Sequence, residues 1–170
     1  SLETIIKAMS LLKHKRNIKL IIMGNGILKK KLINMTMKSK ANIKFLNTQP
    51  IEIAKDVIKK SDICLVSLVP KMFKYAYPSK IMTYLEQGRP IIFLVEKQSE
   101  MVKCAISEGY GFHLLNRKEK TIANLFEKLA KNKKWKKKME KNANKAFKKN
   151  FSTDSILTKW SNVVETGKVN

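Results

Sequence analysis

The stretch Tyr77 to Val95, YPSKIMTYLEQGRPIIFLV, decides how the chain folds, because a helix start, a helix stop and a buried strand follow one another directly. Pro78 has its φ preset for a first helical turn and donates no N–H, so Ser79 and Lys80 are expected to present the free backbone donors of that turn. Lys80 adds a positive charge there, and an anion is the ligand such an arrangement suits. Gln87-Gly88 ends the helix, glycine being the residue that most readily turns left-handed beyond a last turn. The run Pro90 to Val95 is too short for a buried helix and suits a strand covered on both faces.

The same alternation continues on either side. Leu2, Ile5, Ile6, Met9 and Leu12 fall at helical spacing, Asn17 separates them from the apolar run Ile18 to Met23, and Gly24-Asn25-Gly26 breaks that strand. A helix is expected from Ile27 through Met37, a short strand over Ile43 to Leu46, and a helix capped by Thr48-Gln49-Pro50 with Ile51, Ala54, Val57 and Ile58 on its apolar side. Ser61-Asp62 turns into a strand over Ile63 to Leu68. Beyond the Val95 strand come a helix over Glu100 to Ser107, a turn at Gly109-Tyr110-Gly111 and a strand over Phe112 to Leu115. From Lys118 the pattern is helical, broken near Asn132 and Asn150, with Ser152 and Thr153 as capping candidates. Strands alternating with helices imply βαβ units and right-handed crossovers, hence an α/β domain of three Rossmann-like layers around a parallel sheet. The lysine-rich helices of 118–165 are expected as an appendage to it.

A chain of 170 residues with 44% hydrophobic content suffices for one domain with a real core. No apolar run approaches the ~20 residues of a membrane span and no leader opens the chain, so a cytoplasmic protein is expected, with the inner face of a bacterial plasma membrane as its peripheral alternative. Cys64 and Cys104 sit in apolar periodic segments without metal-ligand spacing, which favours reduced, buried thiols and no metal. The net charge of +23 raises the question of a polyanionic partner. Of the 36 basic residues only Arg16, Arg89 and Arg117 are arginines, and no aromatics interleave with the lysines, so the pattern argues against a nucleic-acid reader. The densest cluster, Lys128 to Lys149, shares a helical stretch with Leu125, Leu129, Trp135, Met139 and Phe147. It reads as a solvated face, with attraction to acidic lipid headgroups as the alternative.

In open α/β sheets ligands sit at the carboxyl ends of the strands, which points to the loops at Gly24, Thr48, Leu68 to Ser79 and Val95. Gly24-Asn25-Gly26 alone is a weak signal. Lys29 stands where a dinucleotide fingerprint has its third glycine, and no acidic residue ends the next strand, so an NAD site is not expected. His14 lies in a charged turn and His113 follows the Gly109-Tyr110-Gly111 turn on a strand; neither is given a catalytic role.

Taken together, LETIIKAMSLLK, IKLIIMGNG, NIKFLNTQP, SDICLVSL, YPSKIMTYLEQGRPII, SEMVKCAISEGYGFHL and FSTDSILTKW resemble the C-terminal, donor-binding domain of a GT-B glycosyltransferase of group 1 (family 4). More narrowly they resemble bacterial exopolysaccharide, capsule and colanic-acid transferases that carry PSK-x-x-T followed by GRP. The resemblance implies that the diphosphate of a UDP-sugar or GDP-sugar lies against Pro78, Ser79, Lys80 and the Gly24, Asn25, Gly26 loop, with the base at Thr48 and Gln49. Many members carry two glutamates spaced E-x7-E, one reaching the donor sugar and one the ribose; Tyr75 and Thr83 stand at those positions here, which weakens ribose recognition by a carboxylate.

The resemblance further implies a hexosyl transferase acting on a lipid-linked glycan in surface polysaccharide or lipopolysaccharide synthesis, with no cofactor beyond the donor. Family members have one more strand before the LETII helix and, before that, an acceptor-binding domain; this sequence starts at Ser1, so a donor domain lacking its first strand, inactive alone, is expected. Two rival readings are a sugar-nucleotide epimerase-like domain, which would need acidic and histidine residues in the cleft, and a nonenzymatic basic module binding nucleic acid or membrane.

Overall fold

The computed structural model describes residues 2–14, 17–39 and 41–167; Ser1 and Arg16 lie outside them. Its centre is the strand Ile91–Leu94, which pairs in parallel on one side with Cys64–Ser67 and on the other with Gly111–His113. In chain order these are β3, β4 and β5. Two earlier strands, β1 (Leu20–Met23) and β2 (Ile43–Leu46), form a second parallel ladder with Leu20 opposite Ile43 and Met23 opposite Leu46. Among the described residues the strands thus bond as two parallel sheets, β1-β2 and β3-β4-β5, where one sheet was expected.

Side chains of a strand alternate between its faces, and β4 supplies both sides of the core by that rule. Ile91, Phe93 and Val95 enter one cluster with Val66 of β3, whereas Ile92 and Leu94 enter another with Ile5, Met9 and Ile122. The first cluster is roofed by helices α4 (Lys80–Glu86), α5 (Glu100–Ser107) and α7 (Lys133–Asn150), through Ile81, Leu85, Val102, Ala105, Ala143 and Ala146. The second is floored by α1 (Leu2–Ser10) and α6 (Glu119–Lys131). Helix, sheet, helix is the three-layer order that periodicity anticipates. Leu20, Ile43 and Leu65 also pack against the second cluster, so side chains join the two ladders.

Helix ends follow local chemistry. Asn132 caps α7 by accepting the Trp135 N–H at 2.9 Å, and Ser152 caps α8 (Thr153–Thr166) through the Ser155 N–H at 3.3 Å. Between them lies the break expected near Asn150. Helices α2 (Lys29–Ser39) and α3 (Ile51–Lys59) complete the βα units of the first ladder. Residue Pro50, at the cap position of α3, brings no side-chain cap, so Thr48 and Gln49 do not cap that helix as anticipated. Neither side chain bonds the first turn; Gln49 Nε2 instead donates to the Asn47 carbonyl at 3.3 Å.

The lysine-rich helices divide instead of standing apart together. Both α6 and α7 carry core residues, Ile122 and Ala123 on one and Met139, Ala143 and Ala146 on the other. In α8, by contrast, Leu157, Trp160 and Val164 remain 59%, 63% and 81% exposed. The seat of α7 is tight: a Cβ on Gly88 would lie 2.7 Å from the Asn144 amide, and one on Gly109 2.8 Å from that of Asn142. Both glycines are left-handed, with φ of 66° and 70°, and that conformation is what favours glycine there, since the Asn amides are side-chain ends that can shift. Asn142 Nδ2 donates to the Gly109 carbonyl at 3.0 Å.

Candidate functional site

Because strands within each ladder are parallel, the loops after β1 and β2 leave by one edge, as do those after β3 and β4. The first pair of loops is joined by Lys29. Its Nζ donates to Asn25 Oδ1 at 2.8 Å and to Asn47 Oδ1 at 2.6 Å, and the Gly24 N–H donates to the Leu46 carbonyl at 3.1 Å. Gly24 has a φ of 133°, a conformation that side chains disfavour, while Asn25 and Gly26 are exposed and no neighbour lies within 4 Å of a Cβ at either glycine. Thr48 is exposed and Gln49 half-buried on the adjoining turn.

The second pair of loops holds the PSK segment. Pro78 is half-buried, and its carbonyl accepts the Ile81 N–H at 3.0 Å; the Ser79 carbonyl accepts that of Met82, also at 3.0 Å. These are three-residue bonds, which draw the first turn of α4 tight. They occupy the donors of Ile81 and Met82 and leave the N–H groups of Ser79 and Lys80 without acceptors among the described residues. The Ser79 backbone is already helical, with φ −56° and ψ −27°, and its hydroxyl does not cap the helix. Lys80 is exposed and forms no ion pair among the described residues, whereas Thr83, one turn on, is half-buried. Two open amide donors, the Ser79 hydroxyl and the Lys80 ammonium group therefore belong to one helix start, exposed at Ser79 and Lys80.

Just before it in the chain, a cavity of about 390 Å³ opens between residues 73–77 and residues 98–101, which lead into α5. Tyr75 is 85% exposed at its mouth, after a 3₁₀ turn, Met72–Lys74. The wall is fixed from both sides. Lys71, left-handed at φ 67°, donates its N–H to Glu96 Oε1 at 2.6 Å, tying the loop after β3 to the loop after β4. Tyr77 lies against Phe151 with ring centroids 6.2 Å apart, and burial pushes its phenol up to about 12. Ser99 is buried with its hydroxyl unpartnered among the described residues, and its carbonyl accepts from both Val102 and Lys103 at 3.1 Å. The sequence marks the Val95 loop but singles out no residue in it. The signal was available: Ser99-Glu100 before Met101, Val102 and Ala105 is an N-terminal helix pattern.

The structure thus gathers Gly24, Asn25, Gly26, Thr48 and Gln49 at one ladder edge, and Tyr75, Pro78, Ser79, Lys80 and Thr83 at the other. No hydrogen bond or ion pair joins the two groups among the described residues. Arg89, between the helix stop and β4, turns away from both: Nε donates to the Gln87 carbonyl at 2.8 Å, and one terminal nitrogen to the Ser61 carbonyl and Glu140 Oε1, each at 3.0 Å. It is a structural clamp. His113 is half-buried at the end of β5 with Nε2 unpartnered among the described residues, and burial holds its imidazole below the ordinary 6.5. Cys64 is buried, which pushes its thiol up to about 12, and Cys104 is half-buried; both are free thiols. Among the described residues no group of histidines, cysteines and carboxylates is placed to hold a metal, and no helix is long and apolar enough to cross a membrane.

An α/β domain with polar loops along its strand ends is a common nucleotide-binding frame, and comparison makes the class specific. The profile of the family "Glycosyl transferases group 1" matches residues 1–146, and the chain belongs to that family. Among solved structures, Anabaena HepE in complex with UDP superposes with a TM-score of 0.74 at 15% identity, over 96% of this chain and 44% of that one. WaaG, a glycosyltransferase involved in lipopolysaccharide biosynthesis, superposes with a TM-score of 0.73 at 13% identity, over 99% of this chain and 44% of that one. At these identities the likeness is one of fold, that of half a GT-B glycosyltransferase. The chain spans less than half the length of either structure. Comparison with curated proteins gave no significant match.

Proposed function

We propose that this chain is the donor-binding half of a transferase that moves a sugar from a UDP-sugar or GDP-sugar to a lipid-linked glycan in bacterial surface polysaccharide synthesis. The observation that carries this reading is the group 1 family match over a stretch that contains the Pro78-Ser79-Lys80 helix start, exposed at Ser79 and Lys80, at the strand-end edge where such domains take their ligands. HepE, of the same fold, was solved with UDP, which supports a nucleotide diphosphate as the ligand. Ser79 and Lys80 would receive the diphosphate, the Gly24 to Gly26 turn would let its oxygens approach the backbone, and Thr48 and Gln49 would meet the base. Tyr75, at the mouth of the 390 Å³ cavity, and Thr83 would border the sugar and ribose.

Chemically this half contributes stabilisation of the leaving group. Charge builds up on the diphosphate as the glycosidic bond breaks, and fixed amide donors with an ammonium group favour that charge without reorganising. Acceptor binding and the base belong to a second domain in this reading, so the chain alone binds donor without turnover. Calorimetric titration with UDP and GDP tests it: saturable binding of one is expected, and Lys80→Ala should weaken that binding about fivefold, the effect of roughly 1 kcal/mol at an exposed charge–phosphate contact. Folded protein that binds neither nucleotide overturns the proposal.

A further inference from the structure

Helix α7 presents a face of lysines interrupted by Asn144 alone. Lys133, Lys137, Lys141 and Lys148 run down one side of its eighteen residues, flanked by Lys134, Lys138 and Lys145, and all are exposed. At 3.6 residues per turn these seven positions fall within a sector of about 140° and extend along a helix of about 27 Å. None forms an ion pair among the described residues. The helix has a single carboxylate, Glu140, and it points inward to Arg89 at 3.0 Å. The lysines that do pair lie at the margins: Lys136 contacts Asp62, and Lys149 reaches Glu108 at 3.1 Å.

Such a face costs helix stability. Like charges three and four residues apart repel, and α7 contains several such pairs with no intervening acid. The opposite side of the helix is nevertheless locked to the domain by Ala143, Ala146 and the Asn142 amide at Gly109, while Asn144, at the edge of the lysine sector, approaches Gly88. The charged side is therefore held out as a rigid, convex strip rather than a mobile tail.

We infer that this strip is a docking surface for an anionic lipid bilayer. Charge complementarity selects the class of partner, and the side chains select the bilayer within it. The strip carries no arginine for bidentate base or phosphate contacts and no aromatic ring for stacking, both of which nucleic-acid surfaces use. A layer of acidic headgroups asks only for several ammonium groups within a Debye length of a broad surface, each strengthening binding about fivefold. The proposal is independent of the sugar-transfer reading, since lipid binding and nucleotide binding are measured separately.

The test uses the full chain and cosedimentation with vesicles of phosphatidylcholine containing about one third phosphatidylserine, against pure phosphatidylcholine. Binding to the anionic vesicles alone is expected, abolished by 0.5 M salt as screening requires, where the Debye length is about 4 Å. The quadruple variant K133Q/K137Q/K141Q/K148Q should bind a hundredfold or more weaker with unchanged UDP affinity. A control of equal charge, K19Q/K44Q/K59Q/K60Q, should bind the vesicles within about fivefold of the original. Absence of binding to anionic vesicles overturns the proposal, as does equal loss in both variants, which would mark net charge without a site. Equal binding to neutral vesicles, or tight binding to duplex DNA through the same four lysines with none to vesicles, also overturns it.

Discussion

Arg89 shows how a residue in a motif can act on the fold alone. Its guanidinium joins the exit of α4, the Ser61 turn and α7, and it is only 17% exposed beside a 22% exposed Glu140. Removing the cation leaves Glu140 and two carbonyls short of donors. Arg89→Ala is therefore expected to cost about 2 kcal/mol in urea unfolding, and a double-mutant cycle with Glu140→Gln should return a coupling of about 1 kcal/mol. Lysine at position 89 should rescue little, since a point charge cannot reach three acceptors set at those angles.

His113 sets an acid limit of a different kind. Burial favours its neutral form, and the cations of Arg117 and Lys97 act in the same direction, so its folded value lies below the ordinary 6.5. A group depressed on folding contributes stability above its unfolded value and loses it as pH falls through the folded one. Melting temperature should thus begin to fall below about pH 6.5, and His113→Gln should flatten that decline while leaving the one below pH 4.5, where Glu3 and Glu127 take up protons, in place.

At the scale of elements, local chemistry made most of the chain legible. Alternating apolar runs and breakers located each described α-helix and strand to within a few residues, though not the 3₁₀ turn Met72–Lys74, and Asn132 and Ser152 cap as their side chains allow. The misjudged points depend on partners distant in sequence. Thr48-Gln49-Pro50 looks like a cap, but the chain enters α3 with neither side chain turned to its first turn. One sheet looked sufficient, yet whether four-residue strands join in one ladder or two depends on spacing set by the helices above and below. Nothing local tells that Gly88 and Gly109 are spaces filled by Asn144 and Asn142. For the candidate site, exposure and loop membership were legible at Ser79 and Lys80, and the cavity wall at Ser99 was not, because it forms only when the loops after β3 and β4 meet.

Gly111 offers the sharpest check on strand packing. A Cβ there would stand 2.8 Å from the Ala105 side chain and 2.9 Å from the Ile91 carbonyl oxygen, and the latter belongs to the central strand and cannot rotate away. Gly111→Ala should cost about 2–3 kcal/mol by overpacking, read from the denaturant midpoint. Similar or greater stability in that variant would mean that β4 and β5 lie further apart than described.

Across the whole molecule, the charge of +23 is unevenly used. Much of it is paired or scattered, and one helix concentrates it on the side facing away from the core. The strand-end loops, by contrast, place an unpaired lysine beside open amides. The two surfaces suit different anions, one a single small diphosphate and the other an extended sheet of headgroups. Their independence is what the two sets of binding experiments resolve.

The missing ladder between β1-β2 and β3-β4-β5 has a mechanical consequence. With no backbone hydrogen bonds across that seam among the described residues, the gap between the Gly24 turn and the Ser79 helix start is gauged by aliphatic side chains such as Leu20, Ile43 and Leu65. Greasy contacts slide by fractions of an ångström far more cheaply than pleated backbones shear. A molecule bridging both rims would accordingly set its own clearance, and the methyl groups along the seam would govern its grip without touching it.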